Sequence, residues 1–191
     1  MRRKGQTMAR ATLAEIIARV RLLVDDRATP PTFSDDEIQD TLDQRRSDFF
    51  QEPLTEQVTF FAGKAAAWLD YYAPFDQQWW EGDVQLYANT FAPITPATSD
   101  LSGGHWTFAT SQTPPVYITG KLFDLYAAAG DLLELWIAQL KLEYGTTQET
   151  NVYNRNERIA TLTGLAAKYR ATQAVKQITM TRPDATVSGW R

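Results

Sequence analysis

A chain of 191 residues with 43% hydrophobic content is large enough for one domain with a buried core, and that composition excludes wholesale disorder. Zero cysteines and a single histidine, His105, exclude disulfides, thiol catalysis, thiolate metal sites and a histidine-rich metal cage, so no cofactor is expected. The formal net charge of −4 argues against a generic nucleic-acid coat.

That charge is uneven. From Asn151 onward seven basic residues stand against two acidic ones, so the preceding part carries −9. An acidic body with a basic end suits charge-complementary stacking between copies or onto a partner, and a solvated basic helix face explains the same count. No apolar run approaches the roughly 18 residues of a membrane span, and the first ten residues lack the apolar stretch of a signal peptide. The chain is therefore expected to be soluble, made in the cytoplasm and free of membrane contact.

Residues 1–11 read as a flexible basic arm, with Arg2, Arg3 and Lys4 near its start. A first helix is predicted from a capping box of Thr12 and Glu15, with Leu13, Ile16, Ile17, Val20, Leu23 and Val24 as its buried stripe. It must stop before Pro30 and Pro31. Ser34 and Glu37 form a second capping box, flanked by the hydrophobic staple Phe33 and Ile38. Asp35, Asp36 and Glu37 then complement the helix dipole, and Ile38, Leu42 and Phe49 continue the apolar face of a second helix. The two helices form a short-looped hairpin.

From about 64 to 119 the pattern becomes extended. A strand is expected over 66–72, and alternation in Val84-Leu86-Ala88, His105–Phe108 and Val116–Thr119 predicts three more short ones. Gly103-Gly104 and Pro114-Pro115 punctuate them. The result is a small antiparallel β insertion. Next comes the longest apolar periodicity, 120–144, with Leu122, Leu125, Ala129, Leu132, Trp136, Leu140 and Tyr144 among its recurring positions and Thr119 as N-cap. At 1.5 Å per residue this helix spans roughly 36 Å, long enough to be the spine of the domain. Gly130 within it predicts close approach by another element. A last helix is expected from Asn154 as N-cap with Glu157 at N3, burying Ile159, Leu162, Leu165, Ala166 and Tyr169. Residues 174–191 have β character without a visible partner. The expected fold is thus mainly α: about four helices bundled around 120–144 as one domain over 12–173, with the β insertion and an extended C-terminal docking tail.

Catalytic motifs fail on inspection. Gly120-Lys121 lacks the glycine spacing of a phosphate loop, and Leu122 stands where Ser or Thr is needed. No nucleophile elbow exists, and His105 has no obvious triad. Asp76, Glu81 and Asp83 lie in one loop, yet their spacing matches no standard calcium site. Trp79 and Trp80, with Tyr87 and Trp106 in the same region, are candidates for a subunit interface, for core, or for an aromatic platform that stacks on sugars. Arg155 and Arg158 on the last helix are further interface candidates.

The succession TLAEIIARVRLLVDD, FSDDEIQDTLD, WWEGDVQLY, LSGGHWTFA, PPVYITGKLFDLYAAAGDLLELW and ERIATLTGLAAKYR resembles the head-tail adaptor (connector) proteins of long-tailed bacteriophages and gene transfer agents. The resemblance runs over most of the chain from Thr12 to about Arg170. It implies a non-enzymatic structural protein of the virion neck, assembled as a ring of copies, commonly twelve, beneath the portal protein. A downstream neck or tail protein would follow, and DNA would pass through the lumen without sequence-specific binding. On that reading Lys176, Ile178, Met180, Arg182 and Trp190 dock on the portal or on a neighbouring copy by adding a strand. Another neck or tail-completion ring protein, or a Trp-lined carbohydrate-binding module, are the alternatives.

Overall fold

The computed structural model describes residues 9–60, 67–74, 78–142 and 149–172. A 3-10 turn (Ala11–Leu13) leads into α1 (Ala14–Val24) and α2 (Asp35–Gln44). Eight strands follow: β1 (Arg46–Pro53), β2 (Thr55–Thr59), β3 (Ala67–Tyr72), β4 (Gln85–Tyr87), β5 (Pro93–Ile94), β6 (Thr98–Asp100), β7 (His105–Thr107) and β8 (Tyr117–Phe123). Helices α3 (Leu125–Leu142) and α4 (Glu149–Thr172) complete the described chain.

The strands form two antiparallel four-stranded sheets, ordered β1-β8-β4-β5 and β2-β3-β7-β6. The expected mainly α bundle is overturned. The fold is mixed α/β, and its β region runs from 46 to 123 rather than from 64 to 119.

Two hydrophobic cores sit side by side in the sequence logic of this fold. The helical core joins Leu13, Ile16, Ile17, Val20 and Val24 of the first segment to Ile38 and Leu42 of α2, to the inner face of α3, and to Leu162, Ala166 and Tyr169 of α4. These are the stripes expected from the 3.6-residue period, and burying each large apolar side chain contributes about 1.5–3 kcal/mol. The second core lies between strands and holds Leu54, Tyr71, Trp80, Leu86, Trp106, Phe108, Val116, Ile118 and Leu122. In β8, Ile118 and Leu122 point inward with Gly120 between them, the period of two that a half-buried strand requires.

Local chemistry explains where elements start and stop. Ser34 accepts from the Glu37 backbone N–H and Glu37 accepts from that of Ser34, so the second capping box is present, with Phe33 and Ile38 both buried. Asp26, itself buried, accepts from the backbone N–H groups of Thr32 and Phe33 and from Arg21, which ties the α1–α2 loop shut. The first capping box does not form. Thr12 lies in the 3-10 turn and its hydroxyl donates instead to Glu81, 2.6 Å away.

The long helix is also shorter than its periodicity suggested. Gly120 to Phe123 belong to β8, whose alternation from Tyr117 outcompetes the helical reading, and the Thr119 hydroxyl accepts from the Gln51 backbone N–H. The N-cap role passes to Asp124, whose Oδ1 accepts from the Ala127 N–H at 2.9 Å. Gly130 faces the side chain of Arg170, so the neighbour that comes close is α4. That last helix starts at Glu149, five residues before the expected cap at Asn154. Phe49, read as the end of α2, is instead in β1 and packs its ring on Trp80 at 5.3 Å. Ser47 and Asp48 are weak helix formers, and the ladder with β8 satisfies the backbone that the helix would have used.

Candidate functional site

Residues 79–82 join the two cores. Trp80 bridges Leu122 of β8, its N–H donates to the Leu101 carbonyl, and the N–H of Phe123 donates to the Trp79 carbonyl. Glu81 follows with no exposed surface. Its Oε1 accepts from Arg10 Nε at 2.9 Å and from Thr12 Oγ1, and its Oε2 faces Lys121 Nζ at 3.3 Å. Arg10 is bidentate to Asp43, and Lys121 also reaches Asp83 at 3.0 Å. These partners are charge-assisted, so hydrogen bonding to Asp43 first, then the fields of Glu81 and Asp43, holds the Arg10 pKa above its ordinary value. Lys121 is likewise held up, by Asp83 first and then Glu81.

The Oε1 atom of Glu81 is hydrogen-bonded twice, whereas its buried Oε2 has the ion-pair contact with Lys121 and no hydrogen bond. Glu81 lies between two cations, each shared with a second acid, Asp43 or Asp83, and ties the start of the helical layer to β8. Of the loop carboxylates considered for calcium, Glu81 and Asp83 meet on Lys121, and Asp76 lies outside the described residues. Among the described residues no group of three metal-ligating side chains occurs, and no helix is long and apolar enough to cross a membrane.

The exposed features are strand edges. Each sheet ends on one side in a strand from the 46–59 segment, β1 or β2, and on the other in a strand from 93–100, β5 or β6. On the first flank β1 is broken by a bulge between Phe49 and Glu52, where Gln51 adopts φ 51°, and it ends in Pro53. The bulge leaves Phe50 77% exposed. Beyond Leu54, whose N–H donates to Val116, β2 runs five residues without proline, glycine or lysine. One side of β2 pairs with β3 and the other pairs with no described strand. Val58 and the 80% exposed Phe60 continue its apolar row. Such an edge is a template for another strand.

The second flank is shorter, with two residues in β5 and three in β6. Pro93 in β5 and Pro96 just after it remove backbone donors, and between β5, β4 and β6 lies an open groove of about 690 Å³ lined by Leu86, Tyr87, Pro93, Ile94, Ser99 and Leu101. The Asp100 carboxylate is held below its usual range by the Ser102 hydroxyl and the Gly103 N–H, which lock the turn after β6.

The aromatic candidates fall on different sides of this geometry. Trp80 and Trp106 are buried, with rings 5.9 Å apart in an edge-to-face pair, so neither offers a face to a neighbour or a sugar. Their size fills the narrow space between strands. Trp79 is half-buried beside the helical core, with the Arg19 guanidinium 5.8 Å from its ring. Tyr87 is half-buried in the groove, and its hydroxyl donates to Gln85. Arg158 is exposed and lies 4.7 Å over the Trp136 ring, whereas Arg155 is half-buried on the same helix. Lys176, Ile178, Met180, Arg182 and Trp190 lie outside the described residues.

Phe50, Val58 and Phe60 were missed by sequence reasoning, although Thr55, Val58 and Thr59 supply the β-branched residues that a strand favours. No family model, curated protein or solved structure matches this chain.

Proposed function

We propose that the chain is a structural ring protein of the virion neck, a head-tail adaptor that sits beneath the portal and lets DNA through its lumen. The reading comes from the order of sequence segments described above, and one structural observation supports it most. The two flanks of the sheet region are different: one offers the five-residue edge of β2, and the other ends in the two-residue β5, which starts at Pro93, and the three-residue β6. A head-to-tail ring needs two unlike surfaces on every copy, whereas a two-fold dimer uses one surface twice. The exposed acids of α2, among them Asp35, Glu37 and Asp40, suit a surface over which DNA slides without sticking.

Co-sedimentation with portal rings of the same phage tests this. Binding near one copy per portal subunit by the full chain, lost in a chain ending at Gln173, is the expected result. No binding by the full chain at low and moderate salt sinks the reading. Another neck or tail-completion ring protein would share the flanks and differ in partner. Nothing in the geometry favours the sugar-binding module, because Trp80 and Trp106 are core residues.

A further inference from the structure

The open flank poses a specific question, namely which strand pairs with β2. The second flank is a poor partner, since β5 is two residues long and starts at Pro93, which lacks a donor, and β6 is three residues long and ends in Asp100, a like charge to Glu56. A second open edge is also poor, because β2 carries Glu56 and no cation, so two such edges meet without an ion pair. The sequence contains one further run of strand character with the opposite charge. Lys176-Gln177-Ile178-Thr179-Met180-Thr181-Arg182 alternates apolar and polar positions between two cations.

We infer that residues 176–182 of a neighbouring copy add to β2 as a fifth, antiparallel strand of its sheet. The register is dictated by the pattern. Every strand pair in both sheets is antiparallel. Setting Met180 opposite Val58 in that sense sets Ile178 opposite Phe60 and Arg182 opposite Glu56. Two apolar pairs and one ion pair then fall on the same face, where β2 carries its exposed apolar row. A slip of one residue would place Thr179 and Thr181 there instead.

A different copy as donor fits where the last helix stops. Arg170 and Arg45 share the carboxylate of Asp131, at 2.7 and 2.6 Å, so α4 ends on the side of the molecule where β1 begins. Ile178 is six residues past Thr172, at most about 21 Å of extended chain. In the register above residue 178 stands opposite Phe60, so the added strand enters at that end of β2, fourteen residues along the chain from Arg46. This choice of donor rests on the ring reading, whereas the pairing itself rests on edge, charge and pattern. It also gives the ring contact its direction, since each copy offers one strand and accepts one.

The absence of cysteine makes the test direct. Val58→Cys and Met180→Cys are made as separate full-length proteins, mixed, oxidised and run without reductant, with the linked peptides identified by mass spectrometry. The expected result is a 58–180 link between two chains in the mixture, and little dimer from either variant alone. Phe91→Cys, exposed on another loop, should give no link with Met180→Cys. Equal dimer from Val58→Cys alone would mean two β2 edges pair, and overturns the inference. A link formed only inside the doubly substituted chain overturns it in favour of the same copy, and no link at all overturns it outright. Independently, Glu56→Lys should lower the yield roughly threefold and Arg182→Glu in the partner should restore it. Linking without portal binding would leave the strand addition standing and remove the adaptor reading. Portal binding without linking would do the reverse.

Discussion

Removing the Glu81 carboxylate leaves Arg10 and Lys121 facing each other across a buried space, and takes the acceptor from Thr12. Because both cations keep some contact with water, Glu81→Ala is expected to destabilise the protein by about 3 kcal/mol, at the lower end for a broken buried pair, measured by urea unfolding. Glu81→Gln should cost less, since an amide still accepts from Thr12. Tyr71 sets a different signature. Burial, with a smaller contribution from Glu56, pushes its phenol up to about 12, while in the unfolded chain it ionises near 10.0. Its contribution is therefore complete below pH 10 and is lost as pH rises from about 10 to about 12. Lys121, whose pKa is raised above 10.5, loses its contribution in the same direction at the alkaline end. Tyr71→Phe should cost about 1 kcal/mol at neutral pH, through the lost bond to the Gln112 carbonyl, and should flatten, without abolishing, the alkaline decline in melting temperature. At this scale the sequence was least informative. Arg10 and Glu81 are 71 positions apart, and no spacing rule links an acid beside two tryptophans to an arginine in a basic arm.

Elements were more legible, and the errors have one cause. The helical stripes of α1 and α4, the Ser34–Glu37 box and the strands β3 and β7 follow from local period and capping, so they could be read without tertiary knowledge. Residues 46–53 could not. Phe49 stands seven positions after Leu42, a helical spacing, and only the ladder with β8 turns it into a strand. The same ladder claimed Gly120 to Phe123 from the front of α3. Caps provide the check. Asp124→Ala and Ser34→Ala should each cost about 1 kcal/mol in chemical denaturation, because each removes an acceptor from a helix N-terminus. Thr119→Ala should leave the start of α3 untouched and affect only the bulge at Gln51.

For the molecule as a whole, the open flank separates stability from assembly. Phe50 and Phe60 are mostly exposed, so Phe50→Ser with Phe60→Ser should change unfolding free energy by no more than about 0.5 kcal/mol each. The same pair should shift the sedimentation profile of concentrated protein from larger species towards single chains, and unchanged self-association would count against β2 as a contact. The helical layer has a consequence of another kind. The hydroxyl of Tyr169 donates to the carbonyl of Leu23, 146 positions away, and α1, α3 and α4 share one core. Pairings within the two sheets all lie between residues 46 and 123. A chain emerging from the ribosome can therefore complete its strands while the stripes of α1 and α2 wait, still bare, for a helix not yet synthesised. Closure of that layer is the step with the longest loops to bring together, and it sets the interval during which the newborn protein is most open to aggregation.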